Sequence, residues 1–318
     1  MKKLLTRPLG ALSLWMVGCA WLATLGNLPL WRELGRLGQW QSATTWVLTL
    51  GLAVVIFSST ALLGVLLAWR RSVKPLLSLL LLLAAFASYY EWQFGVVIDP
   101  SMVTNVLQTD VREARDVLSW QLAAFVLGLA ILPAVWLWRQ PVAPAPSWGK
   151  ALLQRLGLLL AALALLLGSV LAMYQPLASL MRNHTQVRYM MNPLNSLWAS
   201  GAVAARHFQK PKQLQPIGLD AVWTGQVGAK PKILLLVVGE TARAANFQLN
   251  GYARATNPLL LKRADVISFS EVAACGTSTA ASLPCMFAKE GRSDYQSGSY
   301  EENLLDVLQR AGLAVLWL

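Results

Sequence analysis

Ile233-Leu234-Leu235-Leu236-Val237-Val238-Gly239-Glu240-Thr241 sets six apolar residues in a row, stopped by a glycine and followed at once by a carboxylate and a hydroxyl. Six residues cannot cross a bilayer, which takes about 20 in a helix. A short leucine- and β-branched-rich run closed by glycine reads as a strand buried on both faces of a parallel sheet. The pattern recurs downstream. Val266-Ile267-Ser268-Phe269 reads as a second strand and residues 313–318 as a third. Helices are expected to start near Thr241, near Thr277 or Ser278, and at a capping box of Ser299 with Glu302 whose helix Gly312 closes. This alternation predicts an α/β domain over residues 231–318.

Upstream the apolar residues come in longer blocks. The 318-residue chain is 56% hydrophobic and 13% charged, too apolar for an average soluble domain. Residues 9–30, 45–69, 76–90, 117–138 and 151–174 hold one charge between them, Arg155. The third block is short and must run on through Glu91 toward Ile98 to span. About five transmembrane helices are expected over residues 1–175, followed by a linker over 176–230. Within the linker, Met190, Met191, Leu194, Leu197, Trp198 and Val203 could lay an interfacial helix on the membrane.

Charge gives the orientation. Lys2, Lys3 and Arg7 precede the first block, Arg70, Arg71 and Lys74 fill the second connection, and Arg139, Lys150 and Arg155 mark the fourth. By the positive-inside rule the N-terminus is cytoplasmic, and five spans place the rest of the chain on the far side. Much of the net charge of +12 lies in these flanks. A second basic group, Arg182, Arg188, Arg206, Lys210, Lys212, Lys230 and Lys232 against Asp220, follows the last span on the far side, where nucleic acid is not the expected partner; it reads as an attraction to anionic lipid headgroups or as a solvated linker with basic bias.

Cys19 lies in the first block and reads as a packing residue, whereas Cys275 and Cys285 fall on the exported side, where a disulfide is the default. Between them stands Gly276-Thr277-Ser278-Thr279, a cluster of hydroxyls at an expected helix start. Free N–H groups there suit a phosphoryl group. Glu240, past a strand end, could hold a cation that activates a hydroxyl. It could equally be a carboxylate that favours a helix N-terminus, and the hydroxyls could simply cap a closed loop.

Val237-Val238-Gly239-Glu240-Thr241-Ala242-Arg243, Asn250-Gly251-Tyr252 with Thr256-Asn257-Pro258, and Cys275-Gly276-Thr277-Ser278-Thr279 with Pro284-Cys285-Met286-Phe287 closely resemble the phosphoethanolamine transferases, the family that modifies lipid A and includes the mobile colistin-resistance enzymes. The resemblance runs through essentially the whole chain. It implies an alkaline-phosphatase-like periplasmic domain on an inner-membrane anchor. It also implies Zn2+ as cofactor, phosphatidylethanolamine as donor, a lipid A phosphate as acceptor and a covalent threonine intermediate. By motif position the nucleophile is Thr279, which with Glu240 also falls on the zinc, and Asn105, Thr109 and Glu113 match positions that hold the donor headgroup. The four-residue spacing of that trio puts it on one face of a helix.

The family's late Asp-His zinc ligands and substrate-site histidines have no counterpart, the two histidines being His184 and His207 in the linker. The α/β domain is accordingly expected to be incomplete as written, and this form inactive. Two other functions stand beside the transferase: a related phosphoglycerol transferase, and a non-catalytic or broken membrane protein.

Overall fold

The computed structural model describes residues 8–38, 40, 42–109, 115, 117–207, 214–225, 233–239, 242–276, 279–295 and 300–317. The chain divides into two compact units, Met1–Gln209 and Lys210–Leu318.

In the first unit five helices are long and apolar enough to cross a membrane: Ala11–Gly38, Ala43–Leu67, Val73–Phe94, Trp120–Arg139 and Trp148–Ala172. A helix suits lipid because its backbone polar groups are satisfied within the segment. The third span does run past its apolar block, to Phe94, and closes on Gly95 in the left-handed conformation at φ 65°. The first span is interrupted: a helix over Ala11–Ala23, a 3-10 turn over Leu25–Asn27, then a helix over Leu28–Gly38. Asn27 repairs the break by donating from Nδ2 to the Leu22 carbonyl at 2.7 Å. The fourth span widens into a π-helical stretch, Leu127–Ile131, just before Pro133, which has no N–H to give. The Leu129 carbonyl there accepts from Trp21 Nε1 at 3.1 Å.

The second span packs on both the first and the fifth, and the third packs on the fourth. Close approach of the first two depends on Gly64, where a Cβ would stand 2.3 Å from Cδ1 of buried Trp15. Trp15 Nε1 donates to the Thr60 carbonyl at 2.8 Å, so no polar atom of the indole is wasted in the core. Leu14, Trp15, Leu22, Leu77 and Leu81 form one buried cluster, and Leu30, Leu52, Ile56, Met173, Val187 and Met190 a second. Val187 and Met190 come from the expected linker, which forms helices Tyr174–Asn183 and Leu194–His207 with a 3-10 segment Thr185–Met190 between them. Met190 is therefore a core residue here, not a bilayer-facing one, while Trp198 stays exposed.

The second unit is built differently. Its longest described helices are Thr279–Met286, Leu304–Arg310 and Pro258–Leu261. Residues 233–239, 266–269 and 313–317 lie outside any helix, and among the described residues none of them is paired into a strand. Ile233 is 94% exposed. A helix closes its hydrogen bonds within itself, whereas a parallel strand obtains them only from neighbours distant in sequence. The bridge described in this unit joins Gln215 to Glu301, with Gln215 N to Tyr300 O at 2.6 Å and Glu302 N to Gln215 O at 2.9 Å.

The expected capping box sits one turn later than read. Ser299 lies outside the described residues; Asn303 is the N-cap of Leu304–Arg310, and Asp306 accepts from the Asn303 N–H in return. Glu302 instead accepts from the Ile217 N–H and pairs with Arg310, which also donates to the Ile217 carbonyl. The hydrogen bond from Arg310 lowers the Glu302 carboxyl below its ordinary range. Gly312, at φ 91°, ends the helix as expected.

Candidate active site

Thr279 is the first described residue of the helix Thr279–Met286 and is exposed. Four contacts hold that helix and the residue after it. Cys275 and Cys285 are joined by a disulfide with Cα atoms 6.3 Å apart, which fixes the preceding loop to the last turn. Ser282 Oγ donates to the Gly276 carbonyl at 2.7 Å across the same loop. Beyond the helix, the Phe287 carbonyl accepts from the Leu304 N–H at 2.8 Å and the Phe287 ring meets Trp317 edge-on at 6.1 Å. Gly276 has no room for a side chain, since a Cβ would lie 2.8 Å from that of Ala281. A hydroxyl is thus presented at the start of a fastened helix, where the first-turn N–H groups have no intrahelical partner.

Thr277, Ser278 and Glu240 lie outside the described residues. Among the described residues no three His, Cys, Asp or Glu side chains converge on a common point. Glu240 and Thr279 are two ligand side chains, and a closed zinc site takes four ligands. The residues named for the metal do not by themselves fit a tetrahedral zinc ion.

In the membrane unit Asp99 caps the helix Pro100–Gln108 by accepting from the Met102 N–H at 2.8 Å. Asn105 lies within that helix. Thr109 ends it in an extended conformation and turns its hydroxyl back to the Asn105 carbonyl at 2.8 Å. The structure therefore brings Asn105 and Thr109 together. The helix Pro100–Gln108 ends at Thr109, and Glu113 lies outside the described residues.

The base of this helix rests on a polar cluster that the sequence did not announce. The Ile98 carbonyl accepts from Asn195 Nδ2 at 2.6 Å. Three residues before Asn195, Asn192 is fully buried and gives its Nδ2 to both Glu91 oxygens, at 2.9 and 3.0 Å. Asn27 reads the Asn192 backbone from the other side: Oδ1 accepts its N–H at 2.8 Å and Nδ2 donates to its carbonyl at 2.7 Å. Ser196 Oγ donates to Asn192 Oδ1 at 3.3 Å, and Ser88 Oγ to the Gly26 carbonyl at 2.9 Å. Glu91 is only 5% exposed. The available signal was a carboxylate inside an otherwise apolar span, a costly placement that usually has a partner; its partner, 101 residues away, could not be read from spacing.

Fold and site together define a class, a polytopic helical membrane protein whose second unit carries a disulfide-fastened helix with Thr279 at its first described position. Residues 53–208 match the family described as Phosphoethanolamine transferase EptA/EptB, and residues 232–317 match the Sulfatase family. The chain is 40% identical over 273 residues to the phosphatidylethanolamine transferase Mcr-1 of Escherichia coli, covering 84% of this chain and 50% of that one. It is 33% identical over 326 residues to the phosphoethanolamine transferase EptA of Escherichia coli K12, covering 100% of this chain and 59% of the relative. The solved structure of the integral membrane lipooligosaccharide phosphoethanolamine transferase A from Neisseria meningitidis superposes with a TM-score of 0.84 at 31% identity, over 96% of this chain and 58% of that one. The chain belongs to the phosphoethanolamine transferase family, and it spans about half the length of the curated relatives it matches.

Proposed function

We propose that the protein is a phosphoethanolamine transferase of the bacterial inner membrane, with the unit from Lys210 on the periplasmic side. The donor in this reading is phosphatidylethanolamine and the acceptor a lipid A phosphate. The observation that carries it is Thr279, exposed at the start of a helix that a disulfide and Ser282 hold against their own loop. Thr279 Oγ attacks the donor phosphorus. The bond from phosphorus to the diacylglycerol oxygen breaks, and the threonine proton ends on that oxygen. Phosphoethanolamine is left esterified to Thr279. An oxygen of a monoprotonated lipid A phosphate then attacks the same phosphorus, the bond from phosphorus to Thr279 Oγ breaks, and Thr279 Oγ takes the proton that the acceptor phosphate gives up. Backbone N–H groups of the helix start stabilise the charge that develops on the phosphoryl oxygens.

Asn105, Thr109 and Glu113 are assigned to the donor headgroup, Asn105 and Thr109 by amide and hydroxyl hydrogen bonds and Glu113 by pairing with the ammonium. Zinc, when bound, would make the threonine hydroxyl a stronger nucleophile, with Glu240 and Thr279 as the two ligands this reading names. Those two alone do not close a zinc site.

In a form as long as the relatives it matches, incubation with phosphatidylethanolamine followed by intact-mass and peptide analysis should show one phosphoethanolamine adduct on the peptide holding Thr279. Thr279→Ala should remove the adduct entirely. An adduct of the same mass on another residue, or one persisting in Thr279→Ala protein, overturns the assignment.

A further inference from the structure

Arg70, Arg71 and Lys74 line a cleft of about 380 Å³ with Pro75, Trp138 and Val142, in the membrane unit where the second, third and fourth spans end or begin. The volume is that of a small-ligand site, which runs from roughly 300 Å³ upward. Its wall is held in place. Trp138 donates from Nε1 to Ser78 Oγ at 3.0 Å, and its carbonyl accepts from Lys74 Nζ at 3.0 Å. Val142 is bridged to Leu9, with Leu9 N to Pro141 O at 3.0 Å and Ala143 N to Leu9 O at 2.9 Å. A neighbouring cation shows what engagement looks like here: Arg155 donates to the Val65 and Ala68 carbonyls at the end of the second span and stacks 3.8 Å from the Trp69 ring. Among the described residues, Arg70 and Arg71 have neither a hydrogen bond nor an ion pair, and Lys74 keeps donors to spare.

We propose that this cleft binds the headgroup of an anionic phospholipid, its phosphodiester held between Arg70 and Arg71 and its upper chain against Pro75, Val142 and Trp138. Among the described residues no acidic side chain lines the cleft, so an ethanolamine ammonium would find no counter-charge from them. That distinguishes the site from the donor site. The exposed indoles of Trp69 and Trp138 place the cleft at headgroup level, and guanidinium forks suit phosphate oxygens.

Native mass spectrometry of the detergent-purified protein, offered equal phosphatidylglycerol and phosphatidylcholine, reads the site. Wild type should retain one phosphatidylglycerol in preference. At about fivefold per cation, Arg70→Gln/Arg71→Gln should weaken retention about 30-fold while leaving phosphatidylcholine adducts unchanged. Arg70→Lys/Arg71→Lys keeps the charge, and with it the insertion topology, and should keep the preference. If the glutamine variant does not fold, Lys74→Gln carries the test with about a fivefold loss. Equal retention of both lipids by wild type, or full retention in the charge-removed variant that folds, overturns the proposal. Displacement of phosphatidylglycerol by an equal concentration of inorganic phosphate also overturns it, since the ligand would then be free phosphate.

Discussion

Leu52 in the second span is 1% exposed and Ile233 in the second unit 94%, although both sit in uninterrupted apolar runs. In the membrane unit, apolar side chains pack between helices that are already complete as hydrogen-bonded objects. Even its buried polar atoms are matched, with Asn27, Asn192 and Glu91 forming one connected set. In the unit from Lys210, the helices Thr279–Met286 and Leu304–Arg310 are equally well fastened, but the apolar segments outside the helices have no ladder among the described residues. The difference teaches that local closure, not hydrophobicity, decides which apolar run finds its place without distant partners.

Limited proteolysis is the largest test of that contrast. Opening free energy differs between the two units, so a protease of broad specificity should cut within residues 233–239 and 266–269 at least tenfold faster than anywhere in the five spans. A fragment ending within residues 233–239 should accumulate, visible by intact mass. Equal cutting rates in both units, or early cleavage between the spans, would break the comparison.

Asn27→Ala comes next. It removes three hydrogen bonds, one to the Leu22 carbonyl and two to the Asn192 backbone, and leaves buried groups unmatched. A loss of about 3 kcal/mol is expected, read as a lower midpoint of unfolding in detergent. Because Asn195, three residues after Asn192, holds the Ile98 carbonyl, exchange protection around Pro100–Gln108 should fall as well. Glu91→Gln keeps a carbonyl oxygen for Asn192 and should cost clearly less. If the two variants are equally mild, the cluster contributes little to holding that helix.

The smallest effect belongs to Glu302. Its carboxyl is lowered first by the hydrogen bond from Arg310, and the Ile217 N–H contact acts in the same direction. A lowered carboxyl contributes stability that is fully present above the unfolded glutamate value of about 4.3 and is lost as pH falls through the lower folded value. Amide protection near Ile217 should therefore hold at neutral pH and decline only in that acid window. Arg310→Ala should weaken that protection at neutral pH and flatten its acid dependence. An unchanged profile in the variant would sink the attribution to this pair.

Much of the architecture was legible in residues alone. Five blocks gave five spans because a bilayer sets helix length, and the overrun of the third block past Glu91 was visible as a shortfall in apolar length. Cys275 and Cys285 pair as expected, and a helix does run on from the hydroxyl cluster. Other readings shifted for local reasons. Asn303 took the cap that Ser299 was expected to supply, since Asp306 stands at the matching third position of its helix. Thr109 turned from helix member to helix end by bonding its hydroxyl back to the preceding turn, and Met190 moved from the bilayer surface to the core.

By itself the sequence determined the span count, the apolar and charged faces of each connection, the disulfide pair and the family motifs, because these rest on composition and on contacts a few residues long. Tertiary structure alone decided that Glu91, Asn27 and Asn192 meet, that Arg155 is engaged while Arg70 and Arg71 are not, and that Trp138 walls a cleft beside them. A buried polar atom must be paired, but the chain does not write down with whom. That choice falls to whichever group the packing of distant helices brings within hydrogen-bond reach.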